Sequence, residues 1–394
     1  MEQDYRCWAE ISLDNLEHNL HTLRGRLRGD CRMMAVVKAN AYGHGDRELA
    51  PYLQRAGVDW LGVATAQEAA HLRDAGVDMP ILVLGYTPPA MAPRLVRLGI
   101  TQTVFSADYG RQLADRVPAG QALDVHLKVD TGMNRLGIHP EAEGGLAQAL
   151  SVYQNPRLRC TGIFTHFAVA DEVEEDARAH TRGQFERFMD FCALLQGRGL
   201  ALGLRHCCNS AALLLYPEMH LDMVRCGIAL YGLAPSPALA GQAPLRPVMS
   251  LHSRIVQLKE IPAGQGVSYG RTFVAPSPRR IATVPIGYAD GYQRQLGGLA
   301  KALVRGGAAP VVGRVCMDYL MLDVTALPQV REGDRVTLVG ADGPLAVTFD
   351  QLAALTGTVS YERVCAVSPR VPRVYLRETC PPSSSSSEGH PEPS

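Results

Sequence analysis

The sequence has no surplus of either charge and no hydrophobic run that could span a bilayer. Its 394 residues contain 39 Lys+Arg and 39 Asp+Glu, so the formal net charge at pH 7 is +0. Proteins that bind nucleic acid or anionic lipid usually carry excess positive charge. Apolar runs such as AALLLY (211–216) are far shorter than a membrane helix. We therefore expect neither a nucleic-acid partner nor contact with a membrane.

The sequence also lacks the cysteine spacing of a disulfide framework or a metal site. None of its 10 cysteines forms a CxxC pair, and no His/Cys ligand pair lies near the C-terminus, so we predict free thiols and no metal. The first residues, MEQDYRCWAE, contain neither the basic nor the apolar segment of a secretory signal. Together these absences predict a cytoplasmic protein.

From residue 32 to about 230, short apolar runs alternate with amphipathic stretches. Eight runs are predicted strands: 33–38, 60–65, 81–85, 102–105, 124–130, 160–167, 205–208 and 222–227. Helices are predicted between them, for example at 66–76 and at 177–199. This alternation predicts an α/β protein with an N-terminal (β/α)8 barrel, whose reactive groups collect at the C-terminal strand ends. A doubly wound sheet is the alternative, but no GxGxxG turn follows the first strand.

After residue 245 the pattern changes to short apolar runs between Gly- and Pro-rich turns. The predicted strand regions are 253–261, 279–290, 301–306, 310–324, 334–340 and 372–376. This pattern predicts a mostly β C-terminal domain. We therefore divide the chain into a barrel domain at residues 1–235, a β domain at 236–380 and a Ser- and Pro-rich tail at 381–394, which should be disordered.

The stretch AVVKANAYGHG (35–45) places Lys38 where the first predicted strand ends and a glycine-containing loop begins. In a barrel, this end of the strand is where catalysis takes place. A lysine that loses its water there also loses affinity for its proton and becomes nucleophilic. A surface lysine just after a buried strand is the alternative, and this position alone does not decide between the two.

Seven segments together carry a resemblance to a known family. They are AVVKANAYGHG (35–45), LKVDTGMNRLG (127–137), HCCNSAA (206–212), MVRCGIALYG (223–232), GVSYGRTF (266–273), VGRVCMDYLMLD (312–323) and SYERVCAVSPRVPR (360–373). In sequence and in order they resemble the signature segments of the alanine racemase family, over roughly residues 5–378. The resemblance implies an enzyme that uses pyridoxal 5′-phosphate (PLP), a small amino-acid substrate, and a head-to-tail homodimer with shared active sites.

The resemblance also implies two bases. Lys38 resembles the lysine that binds PLP through its amine and then acts as a base on one face of the α-carbon. Tyr269 resembles the base on the opposite face, contributed by the neighbouring subunit. Racemisation removes a proton from one face and returns one to the other, so the reaction needs this arrangement. A tyrosine packed at a domain edge is the alternative for Tyr269.

A phenol with a pKa near 10 is a poor base at neutral pH, so a cation or donor should lie near Tyr269. His166 and Arg225 resemble the family's residues for this network, and Arg225 resembles the arginine that faces the pyridine nitrogen. An arginine cannot accept a proton, so it disfavours pyridinium and weakens the electron sink. A core histidine with satisfied hydrogen bonds is the alternative for His166.

Further residues are implied in binding cofactor and substrate. Those that resemble the PLP-binding set are Tyr42, His166, Asn209, Ser210, Arg225, Gly227, Ile228 and Tyr361. A plain helix N-cap is an equal explanation for Asn209 or Ser210. Arg135 resembles the arginine that approaches the substrate carboxylate, oriented by Lys128 when that lysine is carbamylated. Met317 resembles the residue whose backbone N–H binds the same carboxylate from the second subunit, although as a side chain it would be expected in the core.

Three related functions are alternatives to the racemisation of alanine. They are racemisation of another small amino acid such as serine, decarboxylation by a barrel-type PLP enzyme, and PLP binding without catalysis. Arg225 and Tyr269 argue against a decarboxylase, and a β domain with Tyr269 and Met317 argues against a barrel-only binding protein. Tyr288 and Tyr361 resemble the tyrosines that narrow the entrance and should leave little room beyond a methyl group, which favours alanine. The sequence leaves open whether D-alanine is supplied or L-alanine is consumed.

Overall fold

The structure is a computed structural model that describes residues 5–377. The predicted disordered tail at 381–394 therefore lies outside the described residues. The chain begins with strand β1 (Cys7–Ser12), which was not predicted from the sequence, and continues with the helix Leu13–Arg24. This helix begins at Ser12, because the serine hydroxyl accepts a hydrogen bond from the N–H of Asn15 (3.1 Å).

Eight parallel strands form a barrel. They are β2 (Arg32–Val36), β3 (Trp60–Val63), β4 (Ile81–Val83), β5 (Ile100–Val104), β6 (Leu123–Lys128), β7 (Leu158–Phe164), β8 (Leu204–His206) and β9 (Met223–Cys226). Their order in the sheet is β8-β7-β6-β5-β4-β3-β2-β9. The barrel nearly closes, because the N–H of Asp222 donates to the carbonyl of Arg205 (3.1 Å) and the N–H of Arg225 to that of Cys208 (3.0 Å). All eight predicted strands, and with them the barrel, are confirmed.

Helices connect the barrel strands. They are Asp46–Arg55, Ala66–Asp74, Ala92–Arg97, Ala107–Ala114, Gly145–Tyr153, Glu175–Gln196 and Ser210–Leu215. The two helices predicted by range are confirmed. Ala66–Asp74 begins with a capping box formed by Thr65 and Glu68. Glu175–Gln196 packs its apolar face inward and buries Phe188, Cys192 and Leu195.

The rest of the chain forms a mostly β domain, as predicted. Its strands are β10 (Met249–Arg254), β11 (Gln257–Ile261), β12 (Gly266–Val267), β13 (Phe273–Val274), β14 (Arg279–Val284), β15 (Lys301–Val304), β16 (Gly307–Val312), β17 (Leu320–Asp323), β18 (Arg335–Asp342), β19 (Leu345–Val347) and β20 (Arg373–Leu376). The helices Phe349–Ala354 and Ser360–Cys365 precede β20. The main sheet has the order β11-β14-β17-β16-β15-β18-β10-β1-β20. The first strand of the chain therefore lies in this sheet, while the predicted domain boundaries stay a prediction.

Two apolar runs predicted as single strands are each divided. The run 253–261 divides because its two parts pair with different strands. β10 pairs with β18, whereas β11 pairs with β14. The run 310–324 divides at Gly313, which has a φ of +69° and whose Cβ, if present, would lie 2.7 Å from the carbonyl oxygen of Val267. Met317 lies in the resulting loop and is exposed, so the expectation of Met317 as a core side chain was wrong.

One large hydrophobic core extends through both domains. A smaller cluster of barrel-strand side chains consists of Met34, Trp60, Leu82 and Met223. Within residues 5–377, no helix combines the length and apolar character that a membrane span requires. The cysteines in this part of the chain are free, as predicted; among them Cys207 and Cys208 are buried and Cys365 is exposed.

Candidate active site

Lys38 lies just beyond the C-terminal end of β2, where its half-buried side chain begins the loop to the next helix. Burial lowers the pKa of the Lys38 amine, and the positive charges of Arg135 and Arg225 lower it further. An amine with a lowered pKa is neutral over a wider pH range and is then nucleophilic. The structure therefore places Lys38 at the barrel end where catalytic groups usually collect.

The backbone after Lys38 forms a left-handed helical turn. All four residues at 39–42 have a φ between 51° and 56°, a conformation that costs roughly 1–2 kcal/mol for each L-residue. Hydrogen bonds offset this cost, since the N–H of Gly43 donates to the carbonyl of Ala39 (2.9 Å). The N–H of Ala39 donates to Glu68 Oε1 (2.8 Å). Strained backbone of this kind is concentrated at functional sites.

The last strand of the second domain holds the end of this turn. Arg373, the first residue of β20, donates to the carbonyl oxygen of Gly43 from Nε (3.0 Å) and from Nη2 (2.8 Å). The hydroxyl of Tyr375 donates to the carbonyl of His44 (3.1 Å). His44 contacts the carbonyl of Ala41 through Nδ1 (2.9 Å). The loop that carries Lys38 is therefore fixed by both domains.

Hydroxyl and amide groups from separate segments meet beside Tyr42. The N–H of Gly227, just after β9, donates to Ser210 Oγ (2.9 Å), and a Cβ at Gly227 would lie 2.8 Å from Tyr42 Oη. The ring of Tyr361 contacts that of Tyr42 edge-on, with centroids 6.3 Å apart. Ile228 begins a short 3-10 helix, whose first N–H groups have no partner within the helix. The structure thus brings together five of the residues predicted to bind PLP, whose hydroxyl and amide groups suit a phosphate.

Asn209 is the N-cap of the helix Ser210–Leu215. Its Oδ1 accepts a hydrogen bond from the N–H of Ala212 (2.9 Å), which confirms the N-cap explanation for Asn209. Ser210 instead directs its hydroxyl toward the chain that follows β9. A contact between Asn209 and the cofactor stays a prediction.

Arg225 is buried in β9 beside neutral acceptors. Its Nη1 donates to His206 Nδ1 (2.9 Å), and its Nη2 lies within hydrogen-bond distance of His166 Nδ1 (3.0 Å) and of the carbonyls of Thr165 and Cys207 (2.9 Å each). Burial lowers the pKa of Arg225 to about 10, so the side chain stays cationic at neutral pH. Within residues 5–377, no carboxylate forms an ion pair with it. Arg225 is therefore a buried cation without a counter-ion.

His166 follows β7 and lies next to Arg225. Burial lowers its pKa well below the usual value, and the positive charges of Arg225 and Lys128 add to this effect. A guanidinium group can only donate hydrogen bonds, so His166 Nδ1 is the acceptor and the proton of the ring lies on Nε2. His166 is therefore neutral at physiological pH and has an Nε2–H group as its remaining donor.

Lys128, the last residue of β6, is buried and donates from Nζ to the carbonyl of Val129 (2.7 Å). Burial lowers its pKa to about 7; Asp130 opposes this effect, whereas Arg225 and Arg135 add to it. The positive charge of Arg135 therefore acts on Lys128 and disfavours its protonated form. Lys128 is only partly protonated near neutral pH.

The loop that presents Arg135 is organised by one carboxylate. Asp130 Oδ1 accepts hydrogen bonds from the N–H groups of Gly132, Met133 and Asn134, and Oδ2 accepts one from the N–H of Arg135, all at 3.0 Å. Four backbone donors fix the course of this loop, while the side chain of Arg135 is exposed. Asp130 was not identified from the sequence, although the VDTG segment contains it.

Tyr269 and Met317 lie in the second domain, apart from the group around Lys38. Their side chains are 69% and 53% exposed, and no hydrogen bond or ring contact within residues 5–377 joins either one to Lys38. Tyr269 lines an open groove of about 820 Å³ together with Cys316. One chain therefore brings Tyr361 of the β domain together with the predicted barrel residues, but not Tyr269 or Met317.

Both domains match models of one protein family. The model of the alanine racemase N-terminal domain matches residues 11–235, and that of the alanine racemase C-terminal domain matches residues 248–375. The chain belongs to the alanine racemase family. This finding confirms the resemblance seen in the seven sequence segments.

Curated relatives and solved structures agree over nearly the whole chain. An alanine racemase of Desulfovibrio desulfuricans is 46% identical over 374 residues, which cover 95% of this chain and 99% of the relative. One of Desulfosudis oleivorans is 44% identical, covering 94% and 97%. The structure of a Clostridium difficile alanine racemase has a TM-score of 0.89 and 38% identity, covering 95% and 96%. That of a Bacillus anthracis alanine racemase with bound L-Ala-P has a TM-score of 0.89 and 36% identity, covering 95% of each chain.

The alanine racemase family depends on PLP, and the residues present fit this cofactor. Lys38 has an amine with a lowered pKa. Gly227 has no side chain where a Cβ would collide with Tyr42 Oη, so hydroxyl and amide donors can converge there on a phosphate. Arg225 is a buried cation without a counter-ion, so it can donate a hydrogen bond to a ring nitrogen that carries a lone pair.

Several residues that contact the site were not identified from the sequence. They are His126, His206, Asp130, Glu68 and Arg373. A signal existed for the two histidines, since each is a polar residue inside a predicted buried strand. No local signal exists for Arg373, which contacts Gly43 from 330 positions further along the chain.

Proposed function

We propose that the protein interconverts L-alanine and D-alanine with PLP bound at Lys38. The observation that carries this proposal is the position of Lys38 directly after β2 at the barrel mouth, where burial and the charge of Arg135 lower the pKa of its amine. Membership of the alanine racemase family supports both the reaction and the cofactor. No support for serine racemisation, decarboxylation or PLP binding without catalysis comes from the relatives described above.

PLP supplies an electron sink for the pair of electrons that remains when the α-proton leaves. In this proposal the amine of Lys38, free once the substrate's own amine has taken its place on the cofactor, would take or return that proton at Nζ on one face of the α-carbon. Tyr269 does the same at Oη on the opposite face. Arg225 would hold the ring without giving up its own proton, because its pKa stays at about 10 despite burial. Arg135 binds the substrate carboxylate, and Asp130 holds the loop that presents it.

We propose further that Tyr269 and Met317 act in the site of a second copy of the chain. Both side chains are exposed, and within residues 5–377 neither forms a hydrogen bond or ring contact with Lys38. Tyr269 lines an open groove of about 820 Å³, so its hydroxyl is accessible to a second chain. A head-to-tail homodimer would give each site Lys38 from one chain and Tyr269 with Met317 from the other.

We also infer that Lys128 is carbamylated. A carbamate forms from a neutral amine and CO2, and a pKa of about 7 leaves much of Lys128 neutral at physiological pH. The product is an anion, which would remove the repulsion between Lys128 and Arg135 and attract the guanidinium instead. The carbamate would thus orient Arg135 toward the substrate.

The cellular setting is a separate proposal. The free cysteines of residues 5–377 suit the reducing cytoplasm, where we place the reaction. There we propose that the enzyme supplies D-alanine to peptidoglycan precursors. Deletion of the gene would then create a requirement for external D-alanine, whereas a defect only in growth on L-alanine would indicate a catabolic role.

Borohydride reduction of the holoenzyme followed by peptide mapping tests the central proposal. The sequence contains only four lysines, Lys38, Lys128, Lys259 and Lys301. We expect the label on Lys38, and we expect solvent deuterium to enter the α-position of both L- and D-alanine. A label on another lysine would contradict the assignment of the cofactor site, and a lack of exchange with either enantiomer would contradict the reaction. Lys301→Arg, at an exposed lysine of β15, is the matched control.

A further inference from the structure

A line of buried side chains leads from His166 through Arg225 into the barrel. Arg225 Nη1 lies 2.9 Å from His206 Nδ1, and His206 Nε2 lies 2.9 Å from His126 Nδ1. Both of these histidines are fully buried, in β8 and β6. The ring of Phe164 stacks on that of His206, with centroids 4.7 Å apart and 5° between the planes. The four polar groups therefore form one continuous chain of hydrogen bonds.

The direction of every hydrogen bond in this chain follows from Arg225. A guanidinium group has only donors, so His206 Nδ1 must accept, and the proton of His206 lies on Nε2. That Nε2–H then donates to His126 Nδ1, so the proton of His126 lies on its own Nε2. At the other end, Arg225 donates to His166 Nδ1, which places the proton of His166 on Nε2 as well. The tautomers of three histidines are thus set by one cation.

All three histidines are neutral. Burial is the main cause of the lowered pKa of each, and the charge of Arg225 adds to it, giving about 3 for His126 and values well below 6.5 for His206 and His166. The other charged groups whose fields reach His166 are Lys38, Lys128 and Arg135, all of them cationic when protonated. The hydrogen-bonding partners of Arg225 therefore carry no negative charge.

The need to fill the barrel interior with side chains does not explain why histidines occupy positions 126 and 206. His126 Nε2 is buried and has no hydrogen-bond partner within the described residues, and a buried polar group without a partner is costly. An apolar side chain at position 126 would avoid this cost. A carboxylate at position 206 would satisfy Arg225 more strongly, but it would form an ion pair and neutralise the guanidinium. Only a neutral acceptor orients the cation and leaves its charge unmatched.

We propose that His206 and His126 are positioning residues for Arg225. His206 offers Arg225 a neutral acceptor in place of a carboxylate, and His126 accepts the hydrogen bond that the Nε2–H of His206 donates. Arg225 is thereby oriented without a counter-ion, and it keeps His166 a neutral Nε2–H donor. The tautomers are a property of the chain by itself, and only their consequence for racemisation rests on the function proposed above.

Nitrogen NMR of the cofactor-free chain with 15N-labelled histidine tests the tautomers directly. We expect the Nδ1 signals of His126, His166 and His206 at positions typical of unprotonated nitrogen and their Nε2 signals at positions typical of N–H, unchanged from pH 6 to pH 9. A proton on His206 Nδ1, or protonation of His206 within this range, would overturn the proposal whatever the enzyme's activity. This measurement needs no variant, so it stands even if every substitution at position 206 unfolds the chain.

Three substitutions at one position then test the role of the neutral acceptor. His206→Asn places an amide oxygen near the position of Nδ1 and should retain kcat and the His166 tautomer. His206→Leu removes a hydrogen bond to a charged group and should lower kcat by about tenfold to a hundredfold. His206→Asp should pair with Arg225, raise the pKa of His166 and alter the absorption spectrum of bound PLP. His220→Asn, which changes a buried histidine bonded to Leu213 instead, is the control for loss of an imidazole. Equal losses in His206→Asn and His206→Leu, or an unchanged His166 titration in His206→Asp, would refute the proposal.

Discussion

Arg373 donates two hydrogen bonds to the carbonyl oxygen of Gly43, at 3.0 and 2.8 Å, and so joins the last strand of the β domain to the loop that begins with Lys38. The same guanidinium also donates to the carbonyls of Val367, Ser368 and Val371. A loop held in a left-handed conformation needs such contacts, because its residues do not favour that conformation by themselves. The geometry around Lys38 therefore depends on a residue of the other domain.

Arg373→Leu should weaken cofactor binding more than it weakens the fold. Loss of the charged donor leaves the Gly43 carbonyl unpaired and frees the left-handed turn, so the position of Lys38 becomes less defined. We expect the Kd for PLP to rise about tenfold or more, on the basis of about 1.5–3 kcal/mol for a hydrogen bond to a charged group. Titration of cofactor-free protein measures this. Arg377→Leu, which removes an exposed arginine paired with Glu17, should leave the Kd unchanged; equal effects of the two variants would contradict a specific role for Arg373.

Gly227→Ala should displace the hydroxyl of Tyr42. The new Cβ would lie 2.8 Å from Tyr42 Oη, which is too close for a stable contact, and it would enter the space where the phosphate donors converge. Overpacking of this kind typically costs about 1–3 kcal/mol, so we expect PLP affinity to fall by about tenfold to a hundredfold. Gly197→Ala is the matched control, since the nearest atom to its Cβ is 3.4 Å away. A variant Gly227→Ala that binds PLP as tightly as the wild type would show that this space is not used.

The carbamate on Lys128 should depend on pH in a defined direction. The pKa of the amine is lowered from 10.5 to about 7, so the neutral form that reacts with CO2 predominates above pH 7 and declines below it. We expect a 13C carbamate signal after incubation with labelled bicarbonate at pH 8, and a weaker one when the reaction is started at pH 6. Lys128→Arg should lack the signal, because an arginine does not react in this way. An identical signal in wild type and variant would assign the carbamate to another amine.

Sites built from two chains predict complementation between inactive variants. Lys38→Ala and Tyr269→Phe should each impair racemisation, but a hybrid dimer would contain one site in which both residues are intact. After subunit exchange we expect recovery of up to about a quarter of the wild-type rate per chain, as random mixing in a two-fold symmetric dimer gives. Mixing Lys38→Ala with the double variant should recover nothing. If exchange is proven by mass spectrometry and activity is not recovered, Lys38 and Tyr269 act within one chain.

The apolar runs of the sequence determined the barrel. Strands buried on both faces of a parallel sheet are almost continuously apolar, so the runs around Ala35, Leu61 and Ile163 identified β2, β3 and β7 without further information. The same local reading located Lys38, because a charged residue directly after such a run lies at a strand end. The turns of the second domain identified it as mostly β. The pairing of its strands was not predicted, because antiparallel strands from distant segments leave a weaker local pattern.

Contacts between residues far apart in the sequence were decided only by the tertiary structure. β1 pairs with β10 and β20, which follow it by more than half the chain. The local sequence at Cys7–Ser12 does not indicate which strands these partners are. The exposure of Met317 depends on the break at Gly313, and the break depends on the approach of Val267. The neutral partners of Arg225 are His206 in β8 and the residues just after β7 and β8, and they meet β9 only when the barrel closes. Local sequence encodes the periodicity of each element, whereas the burial and charge of a site depend on which elements meet. The sequence therefore located Arg225, but it did not show that the charge of Arg225 lacks a counter-ion.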